Sequence, residues 1–233
     1  MELWKVLNMR KVLVTALLCA ELALAITFGL YRYMLDQTVN EIGKRLMSIV
    51  ATAAPDFDAN DLKKLHWAKD MKTETYQKVF IKLNRIKDAD PDITYVYIQR
   101  LLESPNLWEF VADSNSNYNL STMGPDINAD GILDEVDENV APGIIYWDDS
   151  PLEILKAFEY PSHEKKLYAT QWGTLISGYA PIKDAQNKTY AVLGADISAS
   201  AVLDTLHKKF KIWMWFIGVL CGVLFLIWMK KIL

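Results

Sequence analysis

The chain has 233 residues, a net charge of −4 and a pI near 5.4. That length holds one ordinary domain once apolar segments are set aside, and the acidic balance argues against nucleic acid as a partner. Both cysteines, Cys19 and Cys221, lie in strongly apolar stretches, so the part between them folds without a disulfide.

The first apolar block covers residues 12–31 and the second residues 212–229. Each meets the roughly 20 residues that an α-helix needs to cross about 30 Å of hydrocarbon. Ala23-x-Ala25 resembles a signal-peptide cleavage site, but the apolar run continues to Tyr31 and contains Glu21, which favours a retained anchor. Trp213, Trp215 and Trp228 bracket the second block as an interfacial aromatic belt. Lys5, Arg10 and Lys11 precede the first block, and Lys230 and Lys231 follow the second. The positive-inside rule then predicts a two-pass protein of the cell (inner) membrane with both termini cytoplasmic. The expected organisation is a cytoplasmic N-terminus over 1–11, spans over 12–31 and 212–229, an extracytoplasmic domain over 32–211, and a cytoplasmic C-terminus over 230–233.

Between the blocks, Leu35, Val39, Ile42, Leu46 and Ile49 alternate steps of four and three. This heptad seam predicts a long helix that leaves the first span. It reads equally as a dimer seam or as a stripe packed on the domain's own sheet. Pro55 ends it. Residues 58–69 and 73–86 read as two helices, the second with Tyr76, Val79, Phe80, Leu83 and Ile86 on one face. The period then changes to two: 93–99 is a strand and 107–112 its antiparallel partner. Residues 113–142 lack either period and read as a loop. A short helix over 151–160 follows, then strands over 167–182 and 190–197 joined by a turn at 183–188. A helix over 198–211 runs into the second block. Of the three histidines, His163 reads as part of an exposed turn. His66 and His207 lie in other segments, and none has metal-ligand spacing, so no catalytic machinery is predicted.

Several of these segments together resemble a single Cache domain, the PAS-like extracytoplasmic sensor of bacterial transmembrane receptors. They are ITYVYI at 93–98, FVAD at 110–113, Pro142-Gly143-x-x-Tyr146, WGTLISGYAPIKD at 172–184 and YAVLGADI at 190–197. The resemblance covers about residues 35–205. It implies an α+β fold with a central antiparallel sheet and a long N-terminal helix, here flanked by two transmembrane helices. It also implies a small-ligand pocket on one sheet face and dimerisation through the long helices. No output module follows the second block in this sequence, so the expectation is a sensor that couples to a separate membrane signalling protein. The rival expectations are a scaffolding subunit of an envelope complex with a filled core, and a remnant of a longer receptor.

Tyr95 and Tyr97, on one face of their strand, are expected to touch a small-molecule ligand as aromatic walls, the resemblance implies that Tyr146, Trp147, Trp172 and Tyr179 approach the same sheet as further walls, and Arg100 and Asp196 are expected as charged clamps. The bland alternative for each aromatic residue is plain core. In the blocks, Glu21 is costly in hydrocarbon, by about 2.5–3.5 kcal/mol, and Gly218-x-x-x-Gly222 is a close-packing motif. Together they predict assembly in the membrane, as a homodimer or with another membrane protein.

The loop segment DINADGILDEVD at 126–137 places oxygen donors at positions 1, 3, 5 and 9 (Asp126, Asn128, Asp130, Asp134), with Gly131 at position 6. This is the spacing of a calcium loop, although Asp137 stands where a bidentate Glu is usual. The alternative is an acidic, solvated loop. If it holds Ca²⁺, titration calorimetry of the chelator-treated protein gives saturable heat, and a flat titration would remove the site. Replacing Glu21 with Leu should likewise reduce crosslinked assembly of the full-length protein in membranes, whereas unchanged crosslinking would count against its role.

Overall fold

The heptad-spaced residues of the N-terminal half lie on one unbroken helix, α1 (Glu2–Ala53), and the Ala54–Asp56 3₁₀ turn, with Pro55 inside it, stops that helix. The computed structural model describes residues 2–116, 140–149 and 152–232. After α1 come α2 (Ala59–Leu62), a second 3₁₀ turn (Ala68–Lys72), α3 (Glu74–Asp88), β1 (Ile93–Leu101), β2 (Leu107–Asp113), β3 (Ile145–Trp147) and α4 (Leu152–Lys156). The last elements are β4 (Ser162–His163), β5 (Tyr168–Thr170), β6 (Gly173–Lys183), β7 (Thr189–Ser198) and α5 (Ala199–Ile232). The fold is α+β. Its antiparallel sheet runs β3-β2-β1-β7-β6-β4, with β5 also paired to β6.

Residues 39–203 form one compact unit, and residues 1–38 with 204–233 form another. In the second unit, the Tyr31 and Phe210 rings meet edge to face at 5.6 Å. Among the described residues, no helix is long and apolar enough to cross a membrane. The two spans therefore stand on the sequence.

In the first unit, β1, β6 and β7 are buried along nearly their whole length. Helices cover one face. Val39, Ile42, Leu46 and Val50 of α1 are buried there, as are Tyr76, Val79, Leu83 and Ile86 of α3. Fully burying one such aliphatic side chain contributes about 1.5–3 kcal/mol. Within this unit the heptad seam packs on the domain's own sheet. The backbones come close at Gly178 of β6, where a Cβ would lie 2.4 Å from the Met47 nitrogen and 2.6 Å from the Leu46 carbonyl carbon. Only a residue without a side chain lets the α1 backbone rest on the strand there. Gly43 is a second such place, facing the His163 ring.

Several expectations need correction. Residues 58–69 do not form one helix: α2 is a single turn capped by Asp58, whose carboxylate accepts from the Asn60 N–H at 2.8 Å. His163 is not in an exposed turn. It is 3% exposed and sits on β4, opposite Gly178. The strand expected over 167–182 is a hairpin, because the chain reverses at Gln171 and Trp172 before Gly173 at φ +108°. The short edge strand β3 was not anticipated. It pairs with β2 through Trp108 opposite Tyr146.

Overpacking a tight contact costs about 1–3 kcal/mol. Gly178→Ala should therefore lower the unfolding free energy by roughly that amount, read as a lower urea midpoint with an unchanged slope. An unaltered midpoint would contradict the seating of α1 on β6.

Candidate functional site

The sheet face away from Gly178 carries the aromatic residues. Side chains alternate along a strand, so Tyr95, Tyr97 and Gln99 of β1 share that face. Residues opposite one another in an antiparallel pair share a face as well. Tyr95 pairs with Asp196, Tyr97 with both Gly194 and Asp113, and Asp196 with Ser177. Asp113, Asp196, Ser177 and Tyr179 thus join the tyrosines on one side. Trp172 arrives from the β5–β6 turn, Tyr146 from β3 and Ile154 from α4. All of these groups but Ser177 line a cavity of about 30 Å³.

One glycine makes this arrangement possible. A Cβ at Gly194 would lie 2.5 Å from the Tyr97 ring. In its absence the ring lies across β7, and its hydroxyl donates to Asp196 Oδ1 at 3.0 Å. The other walls pack ring against ring: Phe110 on Trp172 at 5.5 Å, Tyr146 on Trp172 at 5.0 Å and Tyr97 on Phe110 at 5.8 Å. A chain of hydroxyls runs along the floor. Tyr168 bonds Ser177 at 2.7 Å and Tyr179 at 3.2 Å, and Tyr179 donates to Glu164 Oε1 at 3.4 Å. The Tyr95 hydroxyl donates to the Trp172 carbonyl at 3.3 Å, which ties β1 to the turn that carries Trp172.

The electrostatics are acidic. Burial pushes Asp196 from the ordinary 3.8 up to about 7, opposed by its bonds to Ser177 and Tyr97 and reinforced by Asp113. Burial raises Asp113 to about 7 as well, opposed by the Asn115 N–H and by Lys87 of α3. Glu164 also rises to about 7, through burial and then through Glu153 and Asp148. Burial pushes the hydroxyls of Tyr97, Tyr168 and Tyr179 well above 10 as well, so they stay neutral donors.

Six of the eight expected ligand residues line the cavity: Tyr95, Tyr97, Tyr146, Trp172, Tyr179 and Asp196. The other two lie elsewhere. Trp147 alternates outward from Tyr146, is 57% exposed, and donates from its indole to Asp149. Arg100 is one residue out of phase with Tyr95, Tyr97 and Gln99 and points to the opposite face. There it makes two 2.6 Å bonds to Glu109, its partner across β2, and contacts the Tyr190 hydroxyl, the Leu65 carbonyl and His66 Nδ1. With five contacts the guanidinium is a structural clamp. The cavity also uses Gln99, Asp113, Asn115, Asp148, Tyr168 and Thr170, which were not singled out. Period-two counting from Tyr95 reaches Gln99, but no sequence signal pairs Asp113 with Tyr97.

The expected calcium ligands Asp126, Asn128, Asp130, Asp134 and Asp137 lie outside the described residues. Among the described residues, no group of three or more His, Cys, Asp or Glu side chains is placed to hold a metal. Glu21 is exposed, and a Cβ at Gly218 would meet nothing within 4 Å. The surroundings of Gly222 are outside the description.

The three raised carboxyls fix a pH dependence. The unfolded chain releases these protons near pH 4 and the folded chain near pH 7, so the folded state holds more protons in between. Stability should fall as pH rises from about 4 to about 7 and level off above. In Asp196→Asn, the melting temperature should fall less steeply across that window. Parallel curves for both proteins would contradict the burial of an ionisable Asp196.

No protein-family model and no curated protein matches the chain. Solved structures do, at low identity. The Escherichia coli DcuS sensor domain is 12% identical, with a TM-score of 0.44 over 73% of this chain and 98% of that one. The ligand-binding domain of the Campylobacter jejuni chemoreceptor Tlp3, in complex with L-valine, is 14% identical, with a TM-score of 0.40 over 78% of this chain and 63% of that one. The extracellular domain of soHK1S-Z6, named as a histidine kinase, is 16% identical, with a TM-score of 0.40 over 75% and 60%. The chain thus spans about three-fifths of the length of the last two domains. The structures this chain is similar to are sensor domains.

Proposed function

We propose that this chain is a membrane-anchored extracytoplasmic sensor that binds a small solute in the aromatic cavity and reports occupancy through α1 to a separate membrane partner. The observation that carries the reading is the cavity itself. Aromatic walls, a few convergent polar tips and carboxyls moved by burial are the usual composition of a small-molecule site. The spans at 12–31 and 212–229, the two-pass topology and the homodimer are part of the same proposal and rest on the sequence. The reaction assigned is binding, with no chemical step.

Strand β6 offers a path from site to helix. Tyr179 lines the cavity and Ser177 shares its side of β6, while Gly178 between them bears the α1 backbone. On the neighbouring strand β4, His163 touches Gly43 of α1, and the next residue, Glu164, receives the Tyr179 hydroxyl bond. A solute that displaces Tyr179 therefore moves the strand on which α1 rests. The scaffolding alternative predicts a filled core. The aromatic groups here enclose a cavity of about 30 Å³ instead.

A thermal-unfolding screen of full-length protein in detergent, against organic acids, amino acids, amines and nucleobases, tests the reading. A solute at about 100 times its dissociation constant adds roughly 2.7 kcal/mol and raises the melting temperature visibly. Tyr179→Ala should abolish any such rise. A flat screen, or a rise that survives in the variant, would sink the proposal for this cavity.

A further inference from the structure

The charge around the cavity is one-sided. Asp113, Asp148 and Asp196 line it, and Glu164 lies directly behind Tyr179. No Lys, Arg or His side chain is among its described lining residues. Lys87 faces Asp113 from α3 and bonds Asn115, so it offsets that carboxyl from outside the lining. The groups that bear on Asp196 are Tyr97 of β1, Ser177 of β6 and Asp113 of β2; two are neutral and one is acidic. Arg100, the basic residue of β1, faces the other side of the sheet and is held by Glu109 at two 2.6 Å bonds.

Four electron-rich rings complete the cavity: Tyr97, Phe110, Tyr146 and Trp172, with neighbouring centroids 5.0–6.4 Å apart. Aromatic faces attract cations within about 6 Å of a ring centroid. Buried carboxylates beside such faces attract them further and accept their hydrogen bonds. A ligand carboxylate in the same place meets like charge and no basic partner among the described lining residues, a mismatch that discriminates against it.

We infer that the cavity takes an organic ammonium ion that carries no carboxylate, with the cationic nitrogen at Asp196 and its alkyl part against Trp172 and Tyr146. This rests on the cavity being the solute site, and it deepens that reading by naming the chemical class. It separates simple amines and diamines from amino acids and dicarboxylates, whose carboxylates find no basic side chain among the described lining residues.

The test uses full-length protein in detergent at pH 8 and fixed ionic strength, with butylammonium and 1,4-diaminobutane as probes and L-valine, succinate and butanol as comparators. Thermal unfolding and titration calorimetry read binding. The amines should raise the melting temperature while the comparators do not. Asp196→Asn should weaken amine binding by about 10- to 100-fold, the general worth of a hydrogen bond to a charged group. The amide still accepts the Tyr97 hydroxyl, and cooperative unfolding without ligand checks that the variant folds. If it does not fold, Asp113→Asn serves in its place, with weaker amine binding again expected. Stabilisation by L-valine or succinate, with none by the amines, would overturn the assigned class and leave the cavity as a solute site. Amine binding that both variants leave unchanged would place it elsewhere and overturn the inference. No stabilisation by any probe would overturn the class and count against the sensor reading as well.

Discussion

The Tyr97 hydroxyl bonded to Asp196 across the bare backbone of Gly194 is the contact on which the site depends. A side chain at position 194 would push the ring away and leave a buried carboxyl short of a donor, which costs about 1–3 kcal/mol or more. With the ring laid over β7, the tyrosine becomes a wall and the carboxyl becomes a polar tip. Phe110 and Trp172 then stack outward from that ring, and the Tyr168–Ser177–Tyr179 hydroxyls extend the polar floor along β6.

The same sheet is tight on its other face. Glycines at 43 and 178 let α1 lie directly on β4 and β6, so helix and site are separated by the thickness of one strand. Protein interiors are close-packed and transmit small displacements instead of absorbing them. A rearrangement of Tyr179 has little slack to take up before it reaches the Leu46–Met47 backbone. That tight packing is the physical basis for the proposed signalling role.

Much of this was legible in the chain. The 4-3 spacing from Leu35 to Ile49 predicts the part of α1 that packs on the sheet, the alternation over 93–99 predicts β1, and the strand expected over 190–197 is β7. Tyr95 and Tyr97 follow from strand parity, Tyr146, Trp172 and Tyr179 from the family resemblance, and parity explains why Arg100 and Trp147 fall outside: each sits next to a cavity residue and so faces away. What escaped depends on three-dimensional contacts. His163 is polar and flanked by Pro161 and lysines, which mimics a turn, yet it is buried because Gly43 leaves room for its ring. The break of the 167–182 segment falls in Thr170-Gln171-Trp172-Gly173-Thr174, a short polar interruption within an otherwise β-rich run, and the chain reverses there at Gly173. Asp113 ends a strand in what looks like the start of a polar loop, and only the β1–β2 register brings it under Tyr97.

The most direct test of the account follows the tryptophans individually. With 5-fluorotryptophan in the full-length protein and resonances assigned by single Trp→Phe replacements, butylammonium is titrated while the ¹⁹F spectrum is recorded. Binding in the cavity predicts a saturable shift of the Trp172 resonance, with Trp67 and Trp147, which are 65% and 57% exposed and do not line the cavity, unmoved. A Trp172 resonance that stays fixed at saturating amine, or a shift confined to Trp67 or Trp147, would contradict it.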